Sequence, residues 1–281
     1  MRQFAVLFLA CACAPAFALP APCNSGWVFE DSNGNRLRDA GEPGLPGIRV
    51  ADGVRIVTSD GQGRYELGID GVRSSFVIKP AGFRAVLRAD GLPDTWRVLQ
   101  QDAPVRLRYG GVPQAVPACK DYPLQRDAGA SPDLDVLLFG DPQPKNLTDV
   151  GYYERDIVEP LIGKTPARLG VSLGDIVNDD LSLYPALKAV DARLGLPWLH
   201  VPGNHDLDFD AAKDEDSLQS FRHAFGPDTY AWEEAGANFI VLDDVIYQPG
   251  QKPAYIGGLR EDQFEFLEAY LASASRQRLL V

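Results

Sequence analysis

The sequence predicts two folded units in series: an N-terminal antiparallel β-sandwich, then an α/β domain whose mixed sheet, or sandwich of sheets, is flanked by helices. Three observations predict this. Between residues 19 and 112, short β-prone runs are separated by turn signals such as Ala51-Asp52-Gly53 and Asp60-Gly61, with no sustained helical period. From residue 133 to 281, apolar runs of strand length alternate with stretches of helical period, the pattern of a largely parallel sheet with helices on its faces. Between them, residues 113–132 are rich in Pro, Ala, Gly and Asp without periodicity and are expected to be a linker.

In chain order, residues 1–18 carry one Arg, an apolar core from Phe4 to Phe17, and a small-x-small site at Ala16-Phe17-Ala18. This is the pattern of a secretory signal peptide and predicts a secreted or periplasmic protein. A membrane anchor needs about 20 apolar residues, and Pro15 and Pro20 interrupt this run. No later stretch is long and apolar enough to span a bilayer. Cleavage would leave 281 − 18 = 263 residues, enough for two domains.

Strands are expected at 26–30, 48–50, 54–58, 63–67, 75–79 and 95–99 in the first unit. Cys23 and Cys119 flank it and are the only cysteines left after cleavage. In an oxidising compartment they read as a disulfide, against the alternative of two free buried thiols. Closing a loop of that size contributes about 4 to 5 kcal/mol on the chain-entropy model.

Within the unit, Asp31, Asn33, Asn35, Asp39 and Glu42 stand at positions 1, 3, 5, 9 and 12 of a twelve-residue loop, with the Leu37 carbonyl at 7. That is the spacing of an EF-hand-type calcium loop. Arg36 occupies position 6, where Gly normally makes the sharp turn, so the loop is expected to bend differently or bind weakly. The alternative is a loop held by its own Asx turns. The stretch from Gly26 through Glu42-Pro43-Gly44 to Tyr65 resembles the B-type repeats of bacterial surface adhesins over about 40 residues.

Strands at 134–139, 168–173 and 198–201 and helices at 148–161 and 183–194 open the second unit. A strand at 239–242, a helix at 261–271 and a strand at 278–281 close it. Three of its strands end in polar ligands: Gly140-Asp141-Pro142-Gln143, Gly174-Asp175 through Asn178-Asp179, and Gly203-Asn204-His205-Asp206. Open α/β sheets place their ligand crevice at the carboxyl ends of strands. Carboxylate, amide oxygen and imidazole suit hard or borderline cations such as manganese, magnesium, iron or zinc, and thiolate is absent. Taken singly, each Gly-Asp also reads as a helix cap. Three in ordered series favour a site. By strand alternation His200 should point away from it and pack, and His223, Tyr184, Tyr230 and Trp232 read as core or surface residues.

In order and spacing these three motifs resemble those of the calcineurin-like metallophosphoesterases, over roughly residues 134–281. The resemblance implies two divalent ions, with Asp141 and Gln143 on one, Asn204 on the other and Asp175 bridging both. It further implies that His205 protonates the leaving oxygen or steadies the phosphate of a small phosphoester substrate, a monoester or a diester. Gln143 stands where many members have His, and Asn178 where many have the Asp that orients the catalytic His; Asp179 is expected to take that orienting role. The family's later histidine ligands do not occur by Val281, so the domain reads as incomplete at its C-terminus and the 281 residues alone are expected to turn over little substrate. A secreted binding or adhesive protein with an inactive phosphoesterase-like domain is the alternative.

Net charge is −12. Residues 19–124 hold 13 basic and 12 acidic side chains, and 125–281 hold 13 and 27. A domain this acidic repels a polyanion, which argues against nucleic acid as a partner unless metals locally reverse the field.

Overall fold

The computed structural model describes residues 23–68, 74–98, 105–113, 119–129, 131–275 and 278–281. The signal-peptide segment 1–18 lies outside the described residues. No described helix is long and apolar enough to cross a membrane.

The first half contains β1 (Ser25–Glu30), β2 (Arg49–Ala51), β3 (Ile56–Thr58), β4 (Arg64–Glu66), β5 (Ser74–Val77), β6 (Phe83–Ala85), β7 (Trp96–Val98) and β8 (Tyr122–Arg126). They form two four-stranded sheets, ordered β4-β1-β8-β6 and β3-β2-β5-β7. Val28, Tyr65, Tyr122 and Leu124 from the first meet Val50 and Val77 from the second in one apolar cluster.

Two expectations are corrected here. The sheets are not wholly antiparallel, because β1 and β8 pair in parallel, Val28 opposite Tyr122. Nor is 113–132 a linker throughout: β8 lies inside it, with Tyr122 and Leu124 fully buried. The Pro and Asp that flank β8 give the stretch its loop-like composition, while the short Tyr-Pro-Leu core needs a neighbouring strand on each side to become one. Cys23 and Cys119 are joined in a disulfide, their Cα atoms 4.9 Å apart. The bridge clamps the leading ends of the two parallel strands, where Lys120 N also donates to Ser25 O (3.0 Å).

The second half alternates as expected. β9 (Val136–Phe139), β10 (Leu169–Leu173) and β11 (Trp198–Val201) form a parallel sheet ordered β11-β10-β9. α1 (Leu147–Tyr153), α2 (Tyr184–Ala192) and α3 (Gln219–Phe225) follow these strands. α1 widens into one π-helical turn and then tightens into one 3₁₀ turn, so the helix expected at 148–161 is broken in three. Tyr153, Val158, Leu187, Phe221 and Phe225 pack with Trp198 on one side of the sheet. On the other, Leu169, Val171 and Leu199 meet Trp232 and Phe239 of a second sheet, β12 (Tyr230–Glu234) and β13 (Ala237–Val241). β14 (Val245–Tyr247) and β15 (Tyr255–Gly257) form a hairpin, and α4 (Glu261–Ser273) precedes β16 (Leu279–Leu280), which pairs in parallel with β13. The described molecule is therefore a mixed α/β structure with several sheets and few helices.

The two halves share a core. Ala51, Phe76 and Ile78 of the first pack with Ala231, Phe266 and Tyr270 of the second. Lys79, fully buried, donates to Glu234 Oε2 (2.5 Å) and to Phe83 O (2.8 Å), and its ammonium lies 5.1 Å from the Trp232 ring centroid.

Candidate active site

The three motif loops converge at the carboxyl edge of the parallel sheet. Gln143 N, in the loop after β9, donates to Asp175 O (3.1 Å) in the loop after β10, and Gln143 Nε2 donates to Asp175 Oδ2 (3.1 Å). From the loop after β11, His205 N donates to Asp175 Oδ1 (3.0 Å). Asp175 thus stands at the centre of the three. Asp141 and Asn204 line the same cleft beside it, a space of about 660 Å³ between the two sheets.

The backbone here is strained. Asp141, Gln143, Asp175 and Asp179 adopt φ of 45°, 44°, 46° and 66°, four of the six non-glycine residues with positive φ among those described. Such conformations cost about 1–3 kcal/mol each and persist where the surroundings over-determine them, commonly at sites of function. Close approach is also enforced: a Cβ on Gly203 would lie 2.2 Å from Asp175 Oδ1 and 2.3 Å from Asp175 N. Only a glycine lets the β11 loop pass Asp175 closely enough for His205 N to reach it.

The helix-capping alternative fails for these residues. α1 is capped by Asn146, whose side chain accepts from Thr148 N and Asp149 N, and the 3₁₀ turn before α2 is capped by Asp180. Asp141 and Asp175 cap neither.

His205 Nδ1 meets Asp179 Oδ1 at 2.7 Å, while Asn178 is held by its backbone N, which donates to Pro144 O (3.1 Å). Asp179 is therefore the carboxylate the structure brings to the imidazole. The pair fixes the ring and leaves Nε2 as the nitrogen free to exchange a proton.

Asp206, in the same motif but given no role from sequence, is wholly buried. Its Oδ2 accepts from Gly203 N (2.9 Å) and Ile176 N (3.1 Å), and its Oδ1 from Tyr184 OH (3.0 Å). It locks the β10 and β11 loops together from beneath. Burial pushes its carboxyl up to about 7 against the pull of those hydrogen bonds. Burial, with Asp206 beside it, likewise raises the Tyr184 phenol. The signal for Asp206 was its place in Gly203-Asn204-His205-Asp206; what sequence hid was that a carboxylate could be buried by three donors. Sequence also missed Arg108 and Tyr109, which reach this edge from the first half: Tyr109 OH donates to Asp179 O (3.2 Å) and Arg108 N to Asp210 Oδ2 (2.7 Å).

No model of a known protein family matches the chain, and no curated protein matches it. Among solved structures it is similar to a purple acid phosphatase isolated from yellow lupin (Lupinus luteus) seeds, at 15% identity and a TM-score of 0.35, over 82% of this chain and 48% of that one. The chain thus spans about half the length of that protein. A likeness this loose decides neither fold nor chemistry, which rest on the residues themselves.

The donor set of Asp141, Gln143, Asp175 and Asn204 is all oxygen, two carboxylates and two amides, and it fits a hard divalent cation. Among the described residues no three His, Cys, Asp or Glu side chains cluster closely enough to hold an ion, so an ion held here would need the amides of Gln143 and Asn204 as ligands. Gln143 turns its NH₂ toward Asp175; a half-turn of that amide presents its oxygen instead. His200, on the opposite face of β11, is buried and stacked on Phe225 at 4.1 Å between centroids, which matches the packing role expected of it. His223 is exposed on α3, and Tyr184 and Trp232 are buried.

The calcium-type loop is closed on itself. Asp31, fully buried, accepts from Gly34 N, Asn35 N and Arg36 N, and Glu42 accepts from Ser32 N and Asp39 N. Asn33 and Asn35 both donate to Asp39 Oδ2 (2.8 Å each), which draws the Asp39 carboxyl below its ordinary value. Arg36 makes the sharp turn itself, at φ 66°. Of the two expectations for want of Gly, a different bend or weak binding, the first is not met, since the turn falls at Arg36 itself.

Proposed function

We propose that this protein is a metal-dependent phosphoester hydrolase acting on a small phosphate monoester or diester. The observation that carries the reading is the convergence on Asp175: three strand-end loops meet there, the Gln143 loop bound to its carbonyl and its carboxylate and the His205 loop to its carboxylate. Asp141, Gln143, Asp175 and Asn204 would hold the cations, Asp175 between two of them. When bound, the ions supply Lewis-acid activation of water and neutralise the phosphoryl group.

The chain's own residues do the rest. Gly203 and Asp206 hold the β11 loop against Asp175 so that the donor oxygens share one edge. Asp179 holds the His205 ring, whose Nε2 gives a proton to the leaving oxygen, a step that commonly contributes about 10² to 10⁴ in rate. Turnover of p-nitrophenyl phosphate and of bis(p-nitrophenyl) phosphate by the full-length protein, after chelation and after adding back manganese, tests the proposal. Loss and recovery of turnover is expected; activity indifferent to both treatments would defeat it, and a protein that binds no divalent ion would favour the binding-module alternative.

We also propose that the loop from Asp31 to Glu42 binds calcium. Its support is the spacing of its oxygens together with the left-handed turn at Arg36 in the position a calcium loop requires.

A further inference from the structure

Against Asp179, the partner of the His205 ring, lies a second cleft of about 410 Å³ lined by Arg108, Tyr109, Asp179, Leu207, Phe209 and Asp210. His205 links the two clefts through a residue of each, its backbone N on Asp175 of the first and its ring on Asp179 of the second. On the hydrolase reading proposed above, the phosphoryl group belongs on the Asp175 side and the leaving group on the Asp179 side.

The chemistry of the second cleft is specific. Phe209 is a large apolar side chain left 42% exposed. It is not loose: its carbonyl accepts from Tyr247 OH (2.6 Å), and its ring meets the Tyr247 ring edge-on, centroids 6.0 Å apart. Tyr109 lines the same cleft, its hydroxyl donating to Asp179 O, and the Arg108 guanidinium lies 5.0 Å over its ring. The guanidinium makes no ion pair among the described residues. Two held aromatic side chains and a planar cation lining one cleft are the makings of a stacking platform, and a space of this size suits a ligand larger than an ion.

Charge decides between an anionic and a neutral occupant. Arg108 is outnumbered by Asp179, Asp180 and Asp210, the last bound to its own backbone N. A second phosphate would be repelled. We infer that the leaving group carries a neutral planar aromatic ring, as a nucleoside base does, and that Arg108, Tyr109 and Phe209 select for it by stacking.

Adenosine 5′-monophosphate and ribose 5-phosphate share one ester linkage and differ in the base, so their comparison isolates the platform. Equilibrium binding of each to the protein, by calorimetry in magnesium, should favour adenosine 5′-monophosphate at least tenfold. Phe209→Ala should bring that preference close to one, Arg108→Ala, at an exposed position, should lower it several-fold, and Phe264→Ala, an exposed aromatic on α4, should leave it intact. Equal binding of the two ligands, no measurable binding of the nucleotide, or a preference that survives both Phe209→Ala and Arg108→Ala would overturn the inference. The preference with no hydrolysis of either ligand in manganese would instead sink the hydrolase reading and leave the platform standing.

Discussion

Gly203 is the residue on which the site's geometry turns most sharply. Added at that position, a methyl group would lie 2.2 Å from Asp175 Oδ1, against both a side chain and a backbone that are already strained. Gly203→Ala should therefore cost about 1–3 kcal/mol as overpacking does, and should break the His205 N to Asp175 bond as the β11 loop recoils. Gly140→Ala, where a Cβ would meet nothing within 4 Å, should be close to neutral. Urea unfolding of the two variants checks the contrast, and equal stabilities would contradict it. At this scale much was legible: the ligand-type residues stand in Gly-Asp and Gly-Asn-His motifs at strand ends, and the structure brings Asp141, Gln143, Asp175 and Asn204 to one edge. Asp206 was not legible as a positioning residue, because a buried carboxylate is recognisable only once its three donors have been folded around it.

At the scale of elements, the calcium-type loop offers the sharpest test. Asp31 and Glu42 already collect backbone amides, so without an ion the loop holds itself. An ion bound only by the native loop adds stability as RT ln(1 + [L]/Kd): about 0.4 kcal/mol for a millimolar site in millimolar calcium, and about 4 for a micromolar one. Thermal melting should shift upward with calcium in the wild type and not in Glu42→Ala; no shift in the wild type, or an equal one in the variant, would remove the loop as a site. Elements with a clear period were readable. β11 falls at 198–201 as expected, and α4 begins at the expected Glu261. The missed strands, β6, β8, β12, β14 and β15, are three to five residues long. β8 contains Pro123 and β12 two glutamates, so composition spoke against them. Tertiary partners override it: Glu234 in β12 is spent on Lys79, and β8 is clamped between β1 and β6 beside the Cys23–Cys119 bridge.

Across the whole molecule, the β-rich half is joined to the α/β half by more than a linker. Besides the shared apolar cluster, Lys79 and Glu234 pair in the interior, Arg168 bridges Glu234 to Asp127, and Arg49 pairs with Glu233. Desolvation lowers the Lys79 ammonium from its ordinary range and Glu234 opposes that, so the pair stands or falls together. Lys79→Met should cost about 3–5 kcal/mol by leaving Glu234 buried with one partner fewer, and Lys79→Met with Glu234→Leu should recover a large part of it. Chemical denaturation of the two variants measures this, and a double variant no more stable than the single would contradict it. The same joining brings Arg108 and Tyr109 to the edge that carries His205, a proximity invisible in a sequence that separates Tyr109 from Asp179 by 70 positions. The central claim, that Asp175 organises a metal-dependent hydrolytic site, is tested most directly by manganese binding and aryl phosphate turnover of the full-length protein, wild type against Asp175→Asn and Gln143→Ala. Metal-dependent turnover that Asp175→Asn abolishes and Gln143→Ala only weakens is the result expected, whereas manganese affinity and turnover in Asp175→Asn equal to those of the wild type would contradict it.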